Sequence, residues 1–488
     1  MAGDHHHHPF LDHRRHRRGA RSRDLLRGLP RRGPVGGILM RALVLGAGIS
    51  GKAASRLLTR LRMEHRIYDR RADALEDPPA GVETAGGEWD RSMLAGVSLV
   101  VASPGFMPHL APLTDVRAAG IPIWSEVELA VRHLDCPVIA ITGTNGKTTV
   151  CRQTTEMLAE SGIRAVAAGN IGVPISDVRP GTCDVVVLEI SSFQLHYTYS
   201  LAPRVSVFMN VADDHVDWHR SLIAYRLAKG RISRHLTDED LLVYDVGDPG
   251  AVAHALGAPG RRAPVTGSEP GPGPEGPFGF SVDGLAHPGG AVPIREIPDL
   301  DYSFRVNLAA SAVAAIELGA DPAAVARVVA RFRHRHHRRT EVGSLGDVTW
   351  VDDSKATNPH AAMAAIRSYP SVVLIAGGVR KGLDLSPLVQ APNVRYMVAI
   401  GECGPDLVEM AADLPTALAG SMEEAVRMAS DQARAGDTVL LSPGTTGFDM
   451  FTCYEHRGNV FIQHVDEYLG RVRAGRDPRA AASRAASG

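Results

Sequence analysis

Five cysteines in 488 residues, none in a C-x-x-C pair, leave no basis for a disulfide framework or a thiolate metal site. Cys136, Cys151, Cys183, Cys403 and Cys453 read as reduced thiols of a cytoplasmic protein. No apolar run approaches the ~20 residues of a membrane span, and the first residues lack the apolar core of a signal peptide. A formal net charge of −1 gives no electrostatic attraction to nucleic acid or to a membrane surface. With 44% hydrophobic residues the chain has ordinary material for packed cores, and its length corresponds to about three domains. A monomer is expected. Residues 1–39, with His5–His8 and an arginine-rich run, have almost no apolar periodicity and read as a disordered leader. Met40 directly precedes the first strand and is an alternative start. The Ala/Arg/Ser-rich tail from Arg471 is expected to be loose as well.

The strongest local signal is Val138-Ile-Ala-Ile-Thr-Gly143-Thr144-Asn145-Gly146-Lys147-Thr148-Thr149. An apolar run with the length of a buried strand breaks into glycines, then a lysine and two hydroxyls, where a helical pattern begins. Glycines let backbone N–H groups close around phosphate, Lys147 supplies a point charge, and Thr148 can hold Mg²⁺. Ala140 stands where the usual first glycine would be, so this is a variant phosphate loop with Gly143 making the turn. ATP is the expected ligand.

A second glycine pattern opens the first domain, residues 40–125. Arg41-Ala-Leu-Val-Leu-Gly46-Ala-Gly48-Ile49-Ser50-Gly51 is a strand followed by G-x-G-x-x-G, with a helical pattern from Lys52 to Leu61. A second strand ends in Asp69, at the spacing of a ribose contact, and Arg70 and Arg71 suit either a phosphate or a surface pair. The Leu99–Gly105 stretch reads as a third strand opening onto the same crevice. The pattern leaves the nucleotide undecided. A nicotinamide-dependent oxidoreductase is the reading from another class, and it gives the phosphate loop no role.

Residues 126–333 form the expected central domain. Asp184-Val-Val-Val-Leu-Glu189 is a buried strand ending in a carboxylate, a hard oxygen ligand suited to Mg²⁺. Val205-Ser-Val-Phe-Met-Asn210 is another strand, followed by Asp213, Asp214 and His215; His215 reads as a less usual metal ligand or a structural histidine, and Asp213 or Asp214 as a helix cap. Residues 247–299 are rich in Pro and Gly and suggest loops or a small irregular β element. In residues 334–470 strands again alternate with helices, giving a second parallel α/β domain. The basic run Arg331–Arg339 before it is either a solvated face or a phosphate clamp.

In order, these segments resemble the Mur ligase family of ATP-dependent amino-acid ligases. Thr142–Thr149, Glu189-Ile-Ser-Ser-Phe-Gln-Leu195, Asn210–Asp217, Ala228-Lys229, His337-Arg338, Asp353-Ser-Lys-Ala-Thr357 and Arg457-Gly458 carry the resemblance, which covers residues 41 to about 470. It implies an α/β fold of three domains: a Rossmann-like UDP-binding domain, a P-loop ATPase domain and a Rossmann-like C-terminal domain that closes over the site. The Ser-Ser-Phe-Gln-Leu and Asp-Ser-Lys-Ala-Thr-Asn segments favour the glutamate-adding branch. The implied reaction joins glutamate to UDP-N-acetylmuramoyl-L-alanine in peptidoglycan precursor synthesis.

The resemblance assigns Gly48, Ile49, Ser50, Asp69, Arg70, Gly105 and Asn170 to the UDP substrate. ATP falls to Gly143 through Thr149 together with Asn307, Arg338 and Asp353. Two Mg²⁺ ions would be held by Thr148, Glu189, His215 and a carbamylated Lys229, with Lys147, Lys229 and His215 as the catalytic set. Thr357, Lys381 and Thr446 would hold the incoming amino acid. Some positions depart from the family pattern. Gly447 replaces a serine that contacts the glutamate side chain, so Thr445 or Thr446 takes its place in this reading. Val379 stands where an acid is common, and Ala310 where an asparagine is. D-glutamate is the expected acceptor, with L-glutamate the alternative.

Overall fold

The computed structural model describes residues 41–270, 276–281, 284–287, 290–294, 297, 300–333, 336–380 and 382–474. The leader with His5–His8, Met40, Lys381 and the chain beyond 474 lie outside the described residues. Four sheets account for the described strands. The first holds β1 (Arg41–Leu45), β2 (Glu64–Asp69), β3 (Glu83–Gly86), β4 (Val97–Ala102) and β5 (Ile123–Ser125) in the order 3-2-1-4-5, all parallel. The second holds β6 (Val138–Thr142), β7 (Ala165–Gly169), β8 (Val185–Glu189), β9 (Val205–Phe208), β10 (Leu241–Asp245) and β11 (Arg261–Val265) in the order 11-10-9-6-8-7, again all parallel. A small antiparallel sheet follows, β12 (Gly279–Ser281), β13 (Gly284–His287) and β14 (Gly290–Pro293). The last contains β15 (Thr340–Leu345), β16 (Val348–Asp352), β17 (Val372–Gly377), β18 (Val394–Ile400), β19 (Thr416–Ala419) and β20 (Thr438–Leu441) in the order 15-16-20-17-18-19, with β15 antiparallel at one edge.

β6 and β8 read Val-Ile-Ala-Ile-Thr and Val-Val-Val-Leu-Glu and are buried throughout. Both faces are covered, so an unbroken β-branched run fits better than an alternating one. The α/β class is as the sequence implied. Among the described residues, those from Arg41 to Val211 with Trp218–Arg331 form one compact unit, and Ala212–Asp217 with those from Phe332 to Ala474 form the other. Within the first unit a single apolar core joins Ala42, Val44, Ala54 and Leu58 to Val138, Ala140, Val186 and Leu188, so the first two sheets share one interior. In the second unit two layers cover opposite faces of the sheet. One contains Leu374, Met397 and Leu407, the other Val373, Val426 and Phe461.

Three local outcomes differ from the sequence reading. The first helix starts at Ile49, three residues before the apolar pattern, because Gly48 ends the loop. Pro249–Gly257 is a helix inside the stretch read as loop or irregular β; Asp248 accepts from Ala251 N–H at 2.7 Å and Pro249 occupies the first turn. The final helix, Tyr454–Arg473, runs past Arg471.

Candidate active site

In parallel α/β sheets ligands bind beyond the carboxyl ends of the strands, near the point where strand order reverses. In the second sheet that point is β6, flanked by β9 and β8. The chain leaves β6 through Gly143 and re-enters a helix at Lys147; Gly146 caps that helix with φ +85°. Asn210, at the end of the neighbouring β9, fixes the turn. Its carbonyl accepts from Thr144 N–H at 2.9 Å and its side-chain oxygen from Asn145 N–H at 2.8 Å. The Thr144 hydroxyl lies 2.9 Å from that of Tyr225. Asn307 stands directly against the loop: a Cβ on Gly146 would come within 2.4 Å of its Oδ1. The loop and Asn307, assigned to ATP on separate grounds, are thus brought together.

Two lysines converge on this loop. Lys147 Nζ donates to the carbonyls of Gly143 and Thr144 at 2.7 and 2.9 Å. Lys229, only 2% exposed, donates to the same Gly143 oxygen at 2.7 Å and lies over the Tyr225 ring. Two ammonium groups on one carbonyl repel each other, and burial strengthens the repulsion. The site therefore favours an arriving anion, or conversion of one lysine to an anion.

Glu189 ends β8 and is paired in register with Ile141 of β6. It is 1% exposed. Oε1 accepts from the Asn170 side chain at 2.8 Å, whereas Oε2 is buried without a hydrogen-bond partner. A buried carboxylate oxygen lacking a donor is costly. Its hardness suits a divalent cation, and the residues present fit one. Among the described residues no group of three or more His, Cys, Asp or Glu side chains is gathered. The expected ligand set has only two such residues, Glu189 and His215; Thr148 and Lys229 supply the rest. His215 belongs to the segment grouped with the second unit, with φ +54° and its N–H donating to Asp214 Oδ1 at 2.9 Å.

The first sheet repeats the arrangement. The Gly46–Gly51 loop leaves β1, Asp69 ends β2 and Gly105 follows β4, three adjacent strands. Asp69 accepts from Ala47 N–H at 2.8 Å and Arg71 N–H at 3.0 Å, so it braces the loop. Arg70 donates to the Ala111 carbonyl. Gly48 and Gly105 face open space, and Ile49 is 78% exposed at the loop's crest.

In the second unit Asp353 follows β16, buried, and accepts from the Ser442 hydroxyl at 2.9 Å. Burial pushes its carboxyl up to about 7, against the lowering influence of Arg339 and Arg338. Asp352 accepts from His337 Nδ1 at 2.6 Å. Gly458 leaves room for that histidine, since a Cβ there would fall 2.1 Å from Nδ1. The fully buried Arg457 donates to Ser354 Oγ and O and to the Thr445 carbonyl, and burial lowers it to about 10. Its guanidinium would lie 2.9 Å from a Cβ at position 447, a physical counterpart to the glycine there. The hydroxyls of Thr445 and Thr446 are buried without a hydrogen-bond partner, and Thr357 is half-buried. Arg331, from the basic run, pairs with Glu156 and Glu160 and is a charged surface. Asn210, Tyr225 and Arg457 were not singled out as site residues. Asn210 and Tyr225 act through the loop they hold, and no local pattern marks them.

The chain matches the models for the Mur ligase MurD-like N-terminal domain over residues 40–125, the Mur ligase middle domain over 141–266 and the Mur ligase glutamate ligase domain over 334–444. It is 39% identical over 440 residues to the UDP-N-acetylmuramoylalanine–D-glutamate ligase of Frankia casuarinae, covering 87% of this chain and 93% of that one. The enzyme of the same name from Streptomyces coelicolor is 36% identical, covering 87% and 97%. Among solved structures it is similar in fold to MurF from Acinetobacter baumannii (TM-score 0.53, 16% identity, 84% and 88% covered). MurF from Thermotoga maritima in complex with ADP gives TM-score 0.53 at 14% identity, covering 88% and 99%.

Proposed function

This chain belongs to the Mur ligase family, and on that premise we propose that it uses ATP to join D-glutamate to UDP-N-acetylmuramoyl-L-alanine, a step of peptidoglycan precursor synthesis. The observation that carries the reading is the pair Lys147 and Lys229 on the Gly143 carbonyl, one strand from the unpaired oxygen of Glu189. Lys147 as a cation at a helix N-terminus, with Glu189 and a carbamylated Lys229 as hard oxygen ligands beside it, would supply what phosphoryl transfer requires.

A carboxylate is a poor electrophile. Transfer of the γ-phosphoryl group to the terminal L-alanine carboxylate makes an acyl phosphate; the glutamate amine attacks it, and phosphate leaves. Lys147 offsets the charge gathering on the transferred group. Thr148, Glu189, His215 and Lys229 as a carbamate would hold two Mg²⁺ ions, which would supply further charge compensation on the phosphate oxygens. Asn307, with Arg338 and Asp353 in the second unit, is assigned to ATP. Gly48, Ile49, Ser50, Asp69, Arg70, Gly105 and Asn170 are assigned to the UDP substrate. Thr357, Lys381 and Thr446 are assigned to glutamate, and the unpartnered hydroxyls of Thr445 and Thr446 support that assignment, standing where Gly447 has removed a serine. The nucleotide-linked substrates point to the cytoplasm.

The test is phosphate release with ATP, Mg²⁺ and UDP-N-acetylmuramoyl-L-alanine, offering D- and L-glutamate separately. With both carboxylates of glutamate held, inversion at the α-carbon moves the amine by roughly an ångström, which can cost around a hundredfold. D-glutamate should dominate by about that factor. Product with L-glutamate alone would overturn the stereochemical assignment, and no product with either would overturn the ligase reading.

A further inference from the structure

Cys136 and Cys183, 47 residues apart, place their sulfurs 3.6 Å from each other. Hydrogen bonds flank the contact, one to a side chain and one between backbones. On one side the Asp135 side-chain Oδ1 accepts from Gly181 N–H at 3.3 Å, and on the other Val186 N–H donates to the Pro137 carbonyl at 3.1 Å. The backbone bond continues the β6–β8 register up to the two thiols, and the Asp135 side chain ties the segments beyond them. A disulfide needs the sulfurs at about 2.05 Å, so closure requires roughly 1.5 Å of approach. Cys136 is half-buried and Cys183 buried.

We propose that Cys136 and Cys183 form a reversible disulfide when the protein meets a peroxide, a modification site at the base of the central sheet. The small thiolate fraction of the half-buried Cys136 attacks one oxygen of hydrogen peroxide; the O–O bond breaks, and the second oxygen leaves as hydroxide and takes up a proton to become water. The Cys183 thiolate then attacks the Cys136 sulfenic sulfur, the S–S bond forms and a second water leaves. Two electrons pass from the sulfurs to the peroxide. A small dithiol reverses the change by exchange. The first step is slow, because burial and the neighbouring thiol push Cys136 up to about 12 and leave little thiolate, so the cross-link forms only under sustained exposure to peroxide.

The bond would lie at the opposite end of β6 from Gly143. Five strand residues separate them, on the order of 15–20 Å. Oxidation should therefore leave turnover unchanged while cross-linking a 47-residue loop, which restricts the unfolded chain and raises the melting temperature.

The experiment treats the reduced full chain with hydrogen peroxide, then counts free thiols, maps non-reduced peptides by mass and records thermal melting. The expected result is loss of two thiols, one cross-linked peptide joining Cys136 to Cys183, and a melting temperature higher by a few degrees that a dithiol restores. Cys136→Ser should abolish both the cross-link and the gain. Cys183→Ala should leave a sulfenic acid at position 136 that dimedone traps. A Cys136 that oxidises to sulfinic acid while Cys183 stays free, or a cross-link through Cys453, would overturn the proposal.

Discussion

Two glycine loops in the first unit leave a parallel strand and enter a helix, yet their glycines serve opposite ends. In the Gly46–Gly51 loop they let backbone meet backbone. A Cβ on Gly51 would lie 1.7 Å from the Gly46 carbonyl oxygen, so the helix packs directly onto the strand turn. In the Gly143–Gly146 loop they shape the turn that leads into a helix N-terminus. Gly146 adopts φ +85°, Asn307 closes one side, and two lysines point at the Gly143 carbonyl. The first loop is packed by its glycines and carries no cation of its own at the turn; the second, on the proposed reading, is an electrostatic socket. One motif thus has two physical meanings, and the side chains beside it decide which.

The largest effect should come from the socket. Lys147→Ala is expected to lower phosphate release by more than a hundredfold, about 3 kcal/mol of transition-state stabilisation, with melting little changed. Near-full turnover would remove the loop from catalysis. Lys229→Ala should also lose most activity and recover part of it when a short carboxylic acid is added. Absence of rescue, together with an intact mass showing no added carbon dioxide in bicarbonate, would make Lys229 a plain cation.

The two loops are separated by a matched pair of variants. Gly51→Ala forces backbone apart and should destabilise the unit by about 1–3 kcal/mol, read in thermal melting. Gly146→Ala strains a left-handed residue against Asn307 and should raise the KM for ATP roughly tenfold, with a smaller change in melting. If both variants moved only the melting temperature, the glycine at 146 would serve packing alone, as Gly51 does. A smaller effect is expected at Thr446→Ala, a rise of about three- to tenfold in the KM for glutamate with the KM for ATP unchanged, the worth of one hydrogen bond.

The smallest is a matter of pH. Glu126 is buried where the first sheet meets the central one and accepts from Ser176 N–H at 2.6 Å. Burial pushes it up to about 7 from an ordinary 4.5. The folded state therefore holds a proton that the unfolded chain releases, and the stability this contributes is complete below about 4.5 and lost as pH rises towards 7. Glu126→Gln keeps the acceptor and should flatten the slope of denaturation midpoint against pH across that window. An unchanged slope would assign it to other groups.

The alternation of strands and helices, the two glycine loops and the Glu189 carboxylate were legible because each is written in consecutive residues. Lys147 and Thr148 announce themselves by position after Gly146. Asn210 and Tyr225 do not, since they act on the loop from other elements. The meeting of Cys136 with Cys183 depends on strand register, which spacing along the chain does not reveal. The helix Pro249–Gly257 was hidden because Asp-Pro-Gly signals a turn and a helix start equally well, and only packing against β10 selects the latter. Arg457 is legible only as part of a resemblance; its role as a buried spindle holding Ser354 and Thr445 appears when the last helix is in place.

The shared interior of the first two sheets has a consequence for length. With Ala42 and Leu58 packed into the same core as Val138 and Leu188, the Gly46 loop and the Gly143 loop are mounted on one block. On the proposed reading the first anchors the nucleotide end of the substrate and the second receives its reacting end. The span between them acts as a ruler. A donor carrying the same nucleotide on a shorter arm would dock at the first mark and fall short of the second, filling the site without being consumed.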